Sequence, residues 1–120
     1  MTALQAIQAF WSSFGLSAYD EHSVPYKTEF PYITYTISED FFDHPVAESV
    51  SLWYHSPSWA AIIEKGEQIA EFISRGGRMV GYDGGTIWIK RGSPWAQRLD
   101  DPSDDMIRRL VLNIEYEFIQ

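Results

Sequence analysis

"IRRLVLNIEYEFIQ", residues 107–120, closes the chain with a two-residue alternation. Leu110, Leu112, Ile114, Tyr116 and Phe118 fall on one side of an extended backbone, and Glu115 and Glu117 project from the other. A strand this long, apolar on one face and charged on the other, needs an apolar cover on one side and neighbours on its edges. It predicts a mainly antiparallel sheet with one packed face, and the remaining segments are read as its neighbours and its cover.

Upstream, "RMVGY" and "TIWIKR" flank Asp83-Gly84-Gly85, where Asp-Gly supplies the positive φ of a hairpin turn. The intervening "GSPWAQRLDDPSDD", residues 92–105, reads as a loop from its Gly, Pro, Ser and Asp. Ser56-Pro57 predicts a helix start, and Trp59, Ile62, Ile63, Gly66, Ile69, Ala70 and Ile73 continue it at helical spacing until Gly76-Gly77. Phe30 to Ser38 and Val46 to Tyr54 alternate as strands around "EDFFDHP", an acidic hairpin tip. In the first strand Ile33, Tyr35 and Ile37 share one face and Tyr32, Thr34 and Thr36 the other. In the second, Val46, Val50, Leu52 and Tyr54 share a face, with Trp53 opposite. Residues 16–29 read as a connecting loop. Thr2 and Gln5 form a capping-box pattern ahead of Leu4, Ile7, Trp11 and Phe14, predicting a helix stopped by Gly15. The predicted order is α-β-β-α-β-β-β: a single α+β domain over residues 1–120, its mainly antiparallel sheet packed by two helices.

A chain of 120 residues buries about 65% of its unfolded surface in one core. The absence of cysteine excludes disulfides, thiolate metal sites and cysteine nucleophiles. The N-terminal residues have no basic region and no continuous apolar run, so neither a signal peptide nor a membrane span is expected. The formal net charge is -8, which opposes unassisted binding to a phosphate backbone. Charge is also divided. Residues 1–74 hold ten acids against Lys27 and Lys65, a net -8; residues 75–120 hold seven acids and seven bases, a net of zero. Such a division suits head-to-tail complementarity between copies, or a face that repels anions; it is equally the look of solvated surface.

Catalytic patterns are sparse. His22, His44 and His55 stand in separate segments without metal-ligand spacing. Glu115 and Glu117 are within reach of paired-carboxylate acid–base work, but they also look like the solvent face of a strand. The glycines of "GGRMVGYDGG" form no phosphate loop, and no serine sits in a nucleophile elbow. No enzyme activity, metal or cofactor is expected. Five tryptophans make a stacking platform conceivable, with Trp53 and Trp95 the exposed candidates; a protein–protein contact is the competing use.

The succession of "FPYITYT", then "SLWYHSPSWAAIIEKGEQIAEFI", then a charged hairpin and "RRLVLNIEYEF" resembles the tail terminator (tail completion) proteins of long-tailed bacteriophages and phage-tail-like particles. The likeness spans nearly the whole chain in order, length and texture. Its most telling pieces are Pro31-Tyr32 and the passage from Trp53 through Ser56-Pro57-Ser58; neighbouring head–tail joining proteins share the same size and texture. The resemblance implies a structural virion protein, assembled in the host cytoplasm and placed at the head-proximal end of the tail. It implies a homo-oligomeric ring, usually a hexamer, that caps the tail tube protein and offers the docking surface for the head–tail connector. DNA would pass through the lumen without specific binding, and no membrane is involved. On this reading the contact residues are Tyr32, Thr34, Phe41, Phe42, His44, Trp53, Trp95, Arg108 and Arg109. The lumen or acidic-face residues are Glu39, Asp40, Asp43 and Glu48. The alternatives are a small monomeric module that holds a sugar or peptide on exposed aromatics, and an enzyme using Glu115 and Glu117.

Overall fold

The structure, a computed structural model, describes residues 1–38 and 45–120. Helix α1 (Ala3–Ser12) leads to β1 (Ser17–Asp20), a single 3-10 turn (Glu21–Ser23), β2 (Tyr32–Tyr35) and β3 (Val46–His55). Helix α2 (Ala60–Ile73) and strands β4 (Arg78–Tyr82), β5 (Gly85–Asp100) and β6 (Ile107–Ile119) complete the α+β domain. The six strands form one sheet in the order β1-β2-β3-β6-β5-β4, antiparallel throughout except for the parallel β1–β2 pair.

The closing strand takes the central place its alternation demands. β6 pairs with β3 from Val46↔Tyr116 to His55↔Ile107, and on its other edge with β5 from Thr86↔Ile119 to Asp100↔Arg108. Leu110, Leu112, Ile114 and Tyr116 are buried, beside Val50 and Leu52 of β3, Ile33 and Tyr35 of β2, and Ile87 and Ile89 of β5. Both helices cover this one face. α2 buries Ile62, Gly66, Ile69 and Ile73. Gly66 allows the close approach, since a Cβ there would lie 2.7 Å from Leu110 Cδ2. α1 starts with the expected capping box between Thr2 and Gln5 and buries Ala6, Ile7, Phe10 and Trp11. Its Trp11 Nε1 donates to the buried Tyr116 hydroxyl at 2.8 Å, and burial holds that phenol's pKa above its ordinary range. The start of α1 meets the β4–β5 turn, where the Asp83 amide donates to the Met1 carbonyl at 2.7 Å. Further along, Gln8 donates to the Ala18 carbonyl of β1 and accepts from Tyr35 of β2. One helix thus reaches both edge regions of the sheet.

Several expectations are corrected. Residues 16–29 are not all loop: Ser17–Asp20 forms β1, because its backbone finds β2 as a parallel partner in the register Ser17↔Tyr32 to Asp20↔Tyr35. Residues 92–100 belong to β5 rather than to a loop. The ladder with β6 shifts register between Arg91 and Ala96, and the chain then pairs again from Ala96↔Leu112 onward. Gly92, Ser93 and Pro94 sit in that bulge, where a missing amide hydrogen bond costs no ladder contact. Helix α2 begins at Ala60 rather than at Ser56-Pro57. Ser56 and Ser58 instead accept from the amides of Ser58 and Ala60 and turn the chain into the helix. Leu4 lies off the packed face of α1 and is exposed.

Candidate assembly surface

The face of the sheet opposite the helices has no covering element among the described residues. One row of side chains crosses it through four strands, because Tyr32 of β2 faces Trp53 of β3, Trp53 faces Arg109 of β6, and Arg109 faces Leu99 of β5. The Tyr32 and Trp53 rings stack with centroids 6.0 Å apart and planes 13° from parallel. On the other side of the indole the Arg109 guanidinium lies 4.6 Å from the ring centroid. Trp53 Nε1 donates to Thr34 Oγ1 at 2.9 Å, and Arg109 Nε donates to Ser51 Oγ at 3.1 Å. Thr34 and Ser51 are therefore buried beneath the row although they belong to the bare face. Thr34, expected beside Tyr32 as a contact residue, is instead an internal hydrogen-bond acceptor. Burial raises the Tyr32 pKa, and the nearby Arg109 charge opposes the shift.

Trp53 is held by a near-parallel ring, a guanidinium and its one spent donor, which leaves little of the indole for a base or sugar. The row continues with Phe30, whose ring lies 5.4 Å from Tyr32 and 5.6 Å from His55, and with Tyr19, 6.2 Å from Tyr32. His55 Nε2 reaches Asp104 Oδ2 at 3.1 Å.

Farther along the same face, Lys90 Nζ sits 3.2 Å from Glu115 Oε1 and 3.0 Å from Glu117 Oε1. It also lies 4.2 Å from the centroid of Trp88, whose Nε1 donates to the Gly76 carbonyl at 2.8 Å. The Glu117 hydrogen bond foremost, and the Glu115 contacts with it, raise the Lys90 pKa against a smaller cost of desolvation. One ammonium bonded to both carboxylates ties β5 to β6, an arrangement that serves as a structural clamp.

The other sequence-derived residues are spread over the fold. Arg108 points to the helix side, donating from Nε and Nη2 to the Ser56 and Pro57 carbonyls at 3.0 Å each, with its guanidinium 5.2 Å from the Trp59 ring. It fastens the lead into α2. Glu48 accepts from Thr36 Oγ1 at 2.6 Å and from the Ser38 amide at 2.7 Å, so its carboxylate pins the end of β2. Trp95 is half-buried in the β5 bulge and lines a groove beside α2. Glu39, Asp40, Phe41, Phe42, Asp43 and His44 lie outside the described residues.

Two surface features had no place in the sequence reading. Glu64, Glu67 and Glu71 form an exposed acidic stripe along α2, legible in retrospect from their three- and four-residue spacing. Tyr26 stands 90% exposed on the β1–β2 connection, a property no pattern of residues announces. Among the described residues no group of three or more His, Cys, Asp or Glu side chains is placed to hold a metal ion, and no helix is long and apolar enough to cross a membrane. Comparison of the chain with protein-family models, with curated proteins and with solved structures gives no match.

Proposed function

We propose that this chain is a structural subunit of a closed homo-oligomeric ring, of the tail-terminator kind that caps a phage tail tube and presents the docking surface for the head. The observation that carries the reading is the bare sheet face. Its aromatic and charged side chains are already locked to one another: Trp53 to Tyr32, Thr34 and Arg109, and Lys90 to Glu115 and Glu117. A surface ordered before binding loses little side-chain entropy when another protein covers it. Tyr, Trp and Arg are also the residues that contribute most at protein contacts. Trp53, engaged in this way, makes a poor platform for a sugar or base, so the assembly reading is preferred to the binding-module reading.

The acidic stripe of α2 supports the conduit role. Glu64 and Glu71 stand on the solvent side of the helix. Turned toward a lumen, they repel phosphate and let DNA pass without gripping it. Tail tube protein, head–tail connector and further copies of the chain are the partners this reading assigns.

The test is solution mass by light scattering with negative-stain imaging, alone and with purified tail tubes. Rings of uniform subunit number, or rings seated on tube ends, are the expected result. A protein that stays monomeric at every concentration and ignores tube ends overturns the proposal.

A further inference from the structure

Two features on opposite halves of the fold are complementary. Tyr26 is 90% exposed at the tip of the β1–β2 connection. Its turn is closed by Thr28 Oγ1 donating to the Pro25 carbonyl at 2.5 Å, and Lys27 holds a φ of 60°, in the left-handed region that lysine seldom occupies. A constrained turn that holds an aromatic ring out in water presents a knob. Lys27 and Glu29 flank it with opposite charges.

The groove lies on the helix side, between α2 and the second half of β5. It has a volume of about 350 Å³ and is lined by Ile63, Gly66, Trp95, Ala96 and Leu110, with Glu67 and Arg98 among its walls. That space is at the small end of binding pockets and accommodates one aromatic side chain. The Trp95 indole N–H has no hydrogen-bond partner among the described residues and is available to a phenol oxygen. Glu67 and Arg98 repeat, with reversed sign, the Lys27 and Glu29 charges of the knob.

We propose that Tyr26 of one copy seats in the Ile63–Gly66–Trp95 groove of the next, with Lys27 opposite Glu67 and Glu29 opposite Arg98. The knob sits on the connection into β2 and the groove over β5 and β6, with β3 between them in the sheet, so one copy does not fill its own groove. The contact is head-to-tail, so an open chain of copies keeps one free knob at one end and one free groove at the other. Such contacts build a ring when the rotation between successive copies closes. The inference rests on the ring reading above and gives it a specific interface.

The experiment uses Tyr26→Ala, Lys27→Glu, Glu67→Lys and the double variant Lys27→Glu/Glu67→Lys, with circular dichroism to confirm folding. The three positions are exposed, so the variants keep the parent melting behaviour. Sedimentation is expected to show at least a tenfold rise in dissociation constant for each single change and recovery in the double variant. Mixing Tyr26→Ala (knob lost, groove intact) with Glu67→Lys (groove spoiled, knob intact) gives a one-to-one pair that grows no further. If the parent forms rings only on tail tubes, the same set is read by binding to tube ends. Parent rings with unchanged mass in all the single variants overturn this contact and leave the ring reading standing. A parent that is monomeric both alone and with tubes overturns both.

Discussion

Leu112 and Val111 are neighbours on one strand, yet they belong to different kinds of surface. Leu112 is fully buried against β3, β5 and α2, whereas Val111 is half-buried on the bare face. The same division runs along all of β6: Leu110, Leu112, Ile114 and Tyr116 are closed off by helices, whereas Arg109, Asn113, Glu115 and Glu117 are held by polar partners on the neighbouring strands. The helix side is organised by apolar burial, which is non-directional and proportional to area. The bare side is organised by directed contacts: Arg109 to Ser51, Asn113 to the Pro94 carbonyl, and Lys90 to both glutamates. Burial on one side stabilises the domain; order on the other prepares a surface without needing a cover.

The largest effect expected from this division separates two adjacent truncations. Leu112→Ala is expected to cost about 3 kcal/mol in urea unfolding, and Val111→Ala less than about 1 kcal/mol, because only the first leaves a sealed cavity. Equal costs would show that the bare face is as closed as the other.

Next in size is Trp53→Ala. It removes the ring that covers Thr34 and Ser51 and supports Arg109, and about 2 kcal/mol of unfolding free energy is expected to go with it. If the bare face is an assembly surface, the same variant also loses ring formation in native conditions where it is still folded. A loss of stability with assembly intact would reduce the row to a packing device.

Lys90→Met is expected to be small, within about 1 kcal/mol, since the pair is partly exposed and screened. Its signature is in pH. The folded pKa of Lys90 is raised above the ordinary 10.5, so its contribution is complete below that value and disappears as pH rises through the folded pKa. Parent and variant melting temperatures therefore converge in strong alkali.

The smallest effect lies at the fringe of the aromatic row, in the β5–β6 turn. Asp104 accepts from the Met106 amide and contacts His55, and both hold its carboxyl below the ordinary 3.8. A lowered carboxyl pKa contributes stability above the ordinary value and loses it as pH falls through the folded one. Asp104→Asn should shift acid unfolding slightly upward in pH, and the parent and variant curves should merge below pH 3.8.

Particular residues show how far the chain could be read without coordinates. The faces of β6 and α2 were legible because their spacing is local: alternate residues on a strand, and every third or fourth on a helix, share a side. The capping box of Thr2 and Gln5 and the Asp-Gly turn were legible for the same reason. Ser17–Asp20 was not, since nothing in "SAYD" states that Tyr32–Tyr35 will lie alongside it. Gly92–Pro94 signalled a break correctly, but the resumption of the ladder at Ala96 depends on β6, distant in sequence. Tyr32, Trp53 and Arg109 could each be named as surface contacts. That they form one stack was decided by register.

The sequence by itself therefore determined the class of domain, its two helices, its long closing strand and which side of that strand is apolar. Periodicity is a property of neighbours along the chain. The tertiary structure alone decided that Trp53 is sandwiched, that Lys90 sits between Glu115 and Glu117, and that a groove opens beside Trp95. Those arrangements join residues far apart in the chain, Trp53 to Arg109, Lys90 to Glu117, or α2 to β5, and only the strand order β1-β2-β3-β6-β5-β4 brings them together.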